Sequence, residues 1–166
     1  MCSSDLLVKG CTLPGFMGDI GYAQSNRERY EGFCQALMDA GKTPNPSLCL
    51  TTPLGIDSYR EEIDSFLSSL SRMPDAFVCA SDYVACILMQ LLEKRGLRVP
   101  EDVAVSGFDN NIEDLLAENL TTVQGFKEEL GSRLALQILY RIKYPHTPHE
   151  VTYLESKVLY RASTGD

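Results

Sequence analysis

The chain has 166 residues, of which 44% are hydrophobic and 23% are charged, as in an ordinary globular protein. Its 15 lysines and arginines are outnumbered by 23 aspartates and glutamates, and a net charge of −8 argues against unaided binding to nucleic acid. No apolar run approaches the roughly 20 residues of a membrane-spanning helix, and a secretion signal is not recognisable at the N-terminus. We expect a soluble chain of one domain, or of one domain and a remnant of another.

The first half of the chain alternates short apolar runs with amphipathic helical patterns. A first strand precedes the loop GDIGYAQSNRER, and a helix is predicted to begin at the capping residues Ser25 and Asn26 and to end at Gly41. The apolar face of this helix comprises Tyr30, Phe33, Leu37 and Met38. A short strand follows over residues 47–52, and a second helix is predicted behind a cap at Asp57.

The second half continues the alternation. DAFVCAS is a continuous apolar run, typical of a strand buried on both faces of a parallel sheet. A helix follows between Asp82, which can cap it, and Gly96. VAVSGF is predicted as another buried strand, DNNIEDLLAENL as a short helix or turn and TTV as a strand; a helix over residues 127–143 and a final edge strand over residues 150–160 close the chain.

This order predicts an α/β fold, a three-layer sandwich with a mostly parallel, doubly wound sheet and helices on both faces. In open sheets of this kind, ligands bind outside the carboxyl ends of the strands. The rule selects three polar segments that follow strands, GDIGYAQSNRER, ASDY and GFDNN. We therefore expect a binding site where these three segments meet.

Cysteines and histidines offer alternative chemistry. We interpret the cysteines as reduced core residues of a cytoplasmic protein, because they form no C-x-x-C pair and most lie in apolar runs; the alternative is a disulfide framework. They are Cys2, Cys11, Cys34, Cys49, Cys79 and Cys86. His146 and His149 lie in a Pro-flanked segment that we expect to be an exposed loop, since further metal ligands are lacking there. We predict no metal and no cofactor.

An enzyme is the competing class of function, because doubly wound sheets carry many catalysts. The sequence contains no G-x-S-x-G elbow, no phosphate-binding G-x-x-x-x-G-K-[ST] loop, no G-x-G-x-x-G and no H-E-x-x-H. Cys79, at a strand end, is the best nucleophile candidate, but a buried structural cysteine is the simpler interpretation. We predict that the chain is not an enzyme.

The string RGLRVPEDVAVSGFD, with the downstream LTTV and KEELG, resembles the C-terminal half of the effector-binding domain of LacI/GalR-type repressors. In that family the pattern reads approximately G-L-x-V-P-x-D-V-x-V-x-G-F-D, then L-T-T-V and E-x-G. Upstream, RERYEGFCQALMDAG is similar to the family's R-x-x-G-F-x-x-A-L-x-x-A-G. The likeness covers about residues 15–164 and implies a periplasmic-binding-protein-like type I fold.

The resemblance assigns ligand-binding residues to the three segments. It implies that Arg29 and Asp109 contact a small polar metabolite, with a sugar as the first expectation and nucleobases behind it. Arg29 offers a planar fork of donors, and Asp109 accepts hydrogen bonds from hydroxyl or ring N–H groups. The remaining candidates are Asp82, Ser81, Tyr22 and Asn26. The alternatives are a solvated helix face for Arg29, a helix cap for Asp109 and an N-cap for Asp82.

The sequence departs from the family pattern in two places near the site. The family commonly stacks an aromatic ring on the ligand from the loop after the second strand, where this chain has Pro53. We expect Tyr22 or Tyr83 to supply the ring instead, or flat stacking to be absent. After LTTV the family often reads R-Q-P, whereas this chain has residues 124–126 as QGF, so the connection between subdomains is expected to differ.

The resemblance also divides the chain. Residues 1–8 are predicted to be non-native or disordered, since MCSSDL has no counterpart in the family and looks like a translated sequencing-adapter end. Residues 9–125 are assigned to the C-terminal subdomain, 126–145 to a crossover helix of a missing N-terminal subdomain, and 146–166 to a strand and tail that return. Without its partner, the crossover helix should expose the apolar side chains Leu130, Leu134, Ile138 and Leu139.

These implications predict an effector-binding fragment of a cytoplasmic, dimeric transcription regulator that reaches DNA only through a missing helix-turn-helix, with no membrane partner. A solute-binding protein of a transport system and a sensor domain of a signalling protein are the alternatives with the same fold, and an enzyme ranks behind them. The geometric test is whether Arg29 and Asp109 lie close together at one edge of the sheet.

Overall fold

The computed structural model describes residues 2–55, 57–111 and 117–165. Its centre is a four-stranded, all-parallel sheet with the strand order β2-β1-β3-β4. The strands are β1 (Pro14–Met17), β2 (Cys49–Leu50), β3 (Ala76–Cys79) and β4 (Ala104–Ser106). Every residue of β3 is buried, because this strand has a neighbour on each side and helices above and below. The continuous apolar run that predicted this strand is explained by that position.

Alternating side chains of β1 and β3 divide the core into two clusters, one on each face of the sheet. Phe16 and Val78 pack with side chains of α1 (Cys2–Val8) and α2 (Gln24–Asp39). Met17, Phe77 and Cys79 pack instead with α3 (Tyr59–Ser69) and α4 (Asp82–Lys94). Helices therefore cover both faces of a parallel sheet, which confirms the predicted fold class.

Two predicted helix starts are wrong by one or two residues. Helix α2 begins at Gln24 behind Ala23 and has no side-chain cap, so Ser25 and Asn26 lie inside its first turn. Helix α3 follows Ser58 and not Asp57. In the first case the Asn26 side chain bonds to the preceding loop, donating to Asp19 O (2.9 Å), and so is not available as a cap. The expected apolar face of α2 is also narrower, since Met38 is exposed.

The last two strands form a separate antiparallel pair, β5 (Thr122–Gly125) and β6 (Ser156–Leu159). A single parallel bridge between Ser106 and Thr121 links this pair to the main sheet. The final strand, predicted over residues 150–160, is shorter in the structure, where it spans only β6. The segment predicted as a short helix or turn falls partly outside the described residues, and a 3-10 turn over Ala117–Asn119 ends it.

Helix α5 (Lys127–Lys143) connects β5 and β6 and buries none of its side chains. The four apolar residues expected to lose their partner are all exposed by about half or more: Leu130, Leu134, Ile138 and Leu139. The exposed face predicted from the sequence is therefore present in this chain. The domain boundaries assigned from the resemblance stay a prediction.

Within the segment expected to be non-native or disordered, residues 2–8 form helix α1 in the structure. Leu6 of α1 is 4% exposed and packs in the same cluster as Phe16 and Phe33, and Asp5 accepts a hydrogen bond from the Tyr160 hydroxyl (2.9 Å). Residues 2–8 are thus helical and packed against the core, not disordered. The hypothesis that the first six residues are non-native stays untested. Over the described ranges, no helix combines the length and apolarity needed to cross a membrane.

The contrast between α4 and α5 predicts different costs for the same substitution. Leu88 of α4 is fully buried, so Leu88→Ala should lower the free energy of unfolding by about 2–5 kcal/mol. Leu134 of α5 is 58% exposed, so Leu134→Ala should change it by no more than about 0.5 kcal/mol. Urea unfolding followed by circular dichroism at low protein concentration measures both. Equal losses would show that α5 packs on the rest of the chain.

Candidate ligand-binding site

A cavity of about 270 Å³ lies beyond the carboxyl ends of β1 and β3. It is lined by the loop after β1, the first turns of α2, the residues after β3 and the turn after β4, with one residue each of α3 and α4. Its polar and aromatic lining comprises Asp19, Tyr22, Ser25, Asn26, Arg29, Tyr59, Ser81 and Asp109. The three polar segments selected by the strand-end rule therefore meet at one place.

Arg29 and Asp109 form an ion pair in the lining of this cavity, with Nη2 and Oδ1 3.2 Å apart. Arg29 Nη1 also donates to Ala80 O (2.6 Å), and the guanidinium stacks on the Phe108 ring at 3.7 Å from its centroid. Burial lowers the pKa of Arg29, while the Asp109 carboxylate raises it, and an arginine keeps its charge at neutral pH. The predicted proximity is confirmed, and both side chains line the cavity.

The loop after β1 is organised by Asp19, a residue that the sequence reasoning missed. Its Oδ1 accepts from the backbone N–H groups of Gly21 (2.7 Å) and Tyr22 (3.0 Å), so the loop turns tightly around one carboxylate. The Asn26 amide then holds the Asp19 carbonyl. An Asp followed two residues later by Gly, just after an apolar strand, is the local signal that could have indicated this turn.

Aromatic side chains reach the cavity from two directions. Tyr22 is 76% exposed at the rim, and Tyr59 enters from the start of α3. Tyr83 is not part of the lining; it packs edge-to-face on Tyr59 with ring centroids 5.6 Å apart. Burial raises the pKa of Tyr59, so its hydroxyl stays protonated at neutral pH. Of the two rings expected from the sequence, Tyr22 lines the cavity and Tyr83 does not. The second ring in the lining is that of Tyr59.

Ser81 and Asp82 have different positions although they are adjacent. Ser81 lines the cavity and caps α4, its Oγ accepting from Val84 N at 3.4 Å. Asp82 is 3% exposed and lies outside the lining. Its carboxylate accepts from Thr122 Oγ1 (2.6 Å) and from the backbone N–H of Asn111 (3.2 Å). Asp82 is thus neither the N-cap nor a cavity residue, and it joins α4 to the turn after β4 and to β5.

Gly107 makes room for the Asp82 carboxylate. A Cβ at this position would lie 2.2 Å from Asp82 Oδ1 and 3.0 Å from a methyl group of Leu120. The absence of a side chain at Gly107 thus permits the close approach of the backbone to Asp82.

Gly107→Ala should therefore be strongly destabilising, because the buried carboxylate must move and lose its partners. We expect a loss of about 2 kcal/mol or more in the free energy of unfolding. Gly125→Ala is the control, since no atom lies within 4 Å of its added Cβ. Chemical denaturation of the two variants measures the effect, and similar stability of both would contradict this packing.

Asp82 also predicts a pH dependence. Burial raises its pKa above the ordinary value of 3.8, against the hydrogen bonds that lower it. The folded state thus favours the neutral acid, and this contribution is complete below pH 3.8 and is lost as the pH rises through the folded-state pKa. The measured quantity is the free energy of unfolding of the wild type minus that of Asp82→Asn. In denaturation curves recorded from pH 3 upwards, this difference should fall as the pH rises from 3.8 through the folded-state pKa of Asp82. A difference that rises with pH would contradict the assignment.

The alternative chemical groups do not form a reactive site within the described ranges. Cys79 is buried and burial raises its pKa, so the thiol stays protonated. Among the cysteines whose side chains are described, none forms a disulfide: Cys11, Cys34, Cys49, Cys79 and Cys86. His146 and His149 are both exposed in the segment after α5. No group of metal-ligating side chains occurs in the part of the chain that was described.

A sequence model of the periplasmic binding protein-like domain matches residues 4–164. The chain therefore belongs to this domain family. Relatives that it matches include transcription regulators of the LacI type, and the shared part is their effector-binding domain.

Two curated relatives and two solved structures illustrate the likeness. The transcriptional repressor PurR of Photobacterium profundum is 29% identical over 84% of this chain and 42% of its own length. The ribose operon repressor of Haemophilus influenzae is 30% identical over 82% of this chain and 41% of its own length. This chain thus spans about two-fifths of the curated relatives.

The structural matches cover nearly the whole chain. A LacI-family regulator from Sanguibacter keddieii superposes with a TM-score of 0.84 and 26% identity, over 99% of this chain and 62% of that one. The transcriptional regulator CelR in complex with cellobiose gives a TM-score of 0.84 and 26% identity, over 97% of this chain and 49% of that one.

Proposed function

We propose that this chain is the C-terminal part of the effector-binding domain of a LacI/GalR-type regulator and that its 270 Å³ cavity binds a sugar. The observation that carries the proposal is the Arg29–Asp109 ion pair, which lies at the strand ends and lines the cavity. At about 270 Å³, the cavity lies just below the roughly 300–1,000 Å³ of typical ligand pockets, which favours a ligand of monosaccharide size.

The lining has the chemistry that a sugar requires. The Asp109 carboxylate accepts hydrogen bonds from two hydroxyl groups, and the outer N–H groups of Arg29 donate to hydroxyl oxygens. Tyr22 and Tyr59 provide apolar ring surface for the C–H face of a pyranose or furanose. The names of two relatives support this class of ligand, since one is a ribose operon repressor and one structure contains cellobiose.

In the whole protein, the sugar is proposed to bridge this subdomain and a second one, to shift the angle between them, and so to alter the affinity of a dimer for DNA. DNA is bound through a separate helix-turn-helix, because this part of the chain carries a net charge of −8. The protein is proposed to act in the cytoplasm and to catalyse no reaction.

Substitution of the ion pair tests the site. Arg29→Ala and Asp109→Ala should each weaken sugar binding at least about tenfold, the scale of one hydrogen bond to a charged group. The measurement is an NMR titration of the ¹⁵N-labelled chain with a panel of pentoses, hexoses, cellobiose and purines. Millimolar ligand concentrations are appropriate, because one wall of the cleft alone buries little of the ligand.

Arg27→Ala is the matched control, since Arg27 lies on the same turn of α2 but is exposed and does not line the cavity. This variant should bind like the wild type. If the panel binds the wild type and both site variants equally, the site assignment is wrong. If a purine binds and no sugar does, the ligand class is wrong and the site stands.

A further inference from the structure

Asp109 and its neighbour Asn110 have unusual backbone conformations. Their φ angles are 107° and 46°, the only positive values at residues other than glycine within the described ranges. Side chains with a Cβ rarely adopt this region, and two consecutive residues do so only where surrounding contacts hold them. The direction of the Asp109 carboxylate, and hence its pairing with Arg29, depends on this turn.

Backbone contacts fix one side of the turn. The Asp109 N–H donates to Val123 O of β5 (2.9 Å), and the Asn110 N–H donates to Thr122 Oγ1 (3.3 Å). These bonds attach the turn to β5, but they leave the Asn110 side chain to be held from elsewhere.

Arg161 holds that side chain from the segment that follows β6. Its Nη2 donates to Asn110 Oδ1 (2.9 Å) and its Nη1 to Leu120 O (2.9 Å). Its own backbone is fixed on both sides by Thr121 Oγ1, which accepts from Arg161 N (2.8 Å) and donates to Arg161 O (3.0 Å). A residue 51 positions further along the chain is thus clamped against the turn that carries Asp109.

We propose that Arg161 is a positioning residue for the binding site. Through Asn110 it keeps the turn left-handed, and the turn aims the Asp109 carboxylate at Arg29. The effect on affinity rests on the proposed function, whereas the effect on the turn does not. Because Arg161 follows β6, the proposal also makes the geometry of the site depend on the segment in which the chain returns after α5.

The test replaces Arg161 with glutamine in the intact 166-residue chain. Hydrogen exchange of the Asp109 and Asn110 amides should become at least about tenfold faster, the scale of one hydrogen bond to a charged group, while the Val78 amide in the central sheet keeps its rate. The guanidinium NMR signals of Arg29 should shift, because its partner has moved. The sugar that binds the wild type should bind at least about tenfold more weakly.

Two further variants separate positioning from general stability. Arg95→Gln removes an arginine of similar burial, which bonds to Asp64 and Ser68 far from the turn, and it should change neither the Asp109 exchange rate nor affinity. Asn110→Ala removes only the acceptor and keeps the other bonds of Arg161. It should reproduce the defects of Arg161→Gln, and the double variant should add little to either.

Unchanged Asp109 exchange and unchanged Arg29 signals in both Arg161→Gln and Asn110→Ala would overturn the proposal. If Arg161→Gln also accelerates Val78 exchange, the comparison with Asn110→Ala decides between the two roles. Effects of the two substitutions that add up in the double variant would assign Arg161 a general stabilising role and reject the proposal. If no sugar binds the wild type, the proposed ligand fails, and the exchange rates still decide whether Arg161 positions Asp109.

Discussion

The contact between Arg29 and Asp109 is the interaction on which the proposed binding site depends. The two residues are 80 positions apart and come from a helix and a turn that follow different strands. A parallel sheet brings them together, because all its strands end at the same edge and the segments that follow them converge there. The ion pair is strengthened by partial burial and by the Phe108 ring, yet Asp109 keeps 40% of its side chain exposed and is accessible to a ligand.

A second set of contacts, outside the cavity, holds the turn that carries Asp109. Asp82, Thr122 and Arg161 hold the turn after β4, each from a different element: the start of α4, β5 and the segment after β6. None of the three lines the cavity. Buried polar side chains such as Asp82 are retained where every hydrogen-bonding group finds a partner, and the small Gly107 allows the close approach that Asp82 needs.

The chain combines a complete core with an uncovered helix. Around the central sheet, apolar side chains fill both faces, and the strand-end loops are braced by their own polar residues. Helix α5 instead carries a row of exposed leucine and isoleucine side chains, and the chain spans about two-fifths of its curated relatives. Apolar surface of this extent is typical of an interface with another part of a protein. The cavity wall around the Arg29–Asp109 pair is therefore well packed, whereas the apolar face of α5 is exposed in the part of the chain that the structure describes.

The sequence by itself determined the elements and the location of the site. Apolar runs without alternation identified β3 and β4 as buried parallel strands, the helical spacing identified α2 to α5, and the strand-end rule selected the segments of Arg29, Ser81 and Asp109. These signals are local, because a strand buried on two faces needs a continuous apolar run and a helix needs an apolar stripe. The Arg29–Asp109 proximity followed from the topology of a parallel sheet.

Only the tertiary structure decided the roles of individual polar residues. Asp82 was expected at the ligand or at a helix cap, but its carboxylate bonds to Thr122 on a distant strand. Asn26 lines the cavity as expected, but it is not a helix cap, because its amide donates to the Asp19 carbonyl. Tyr59 reaches the cavity instead of Tyr83 because α3 lies beside the start of α4, and Arg161 meets Asn110 because β6 returns beside β5. A hydrogen bond depends on the three-dimensional placement of both partners, and no periodicity in the sequence encodes a pair that is 40 or 51 residues apart.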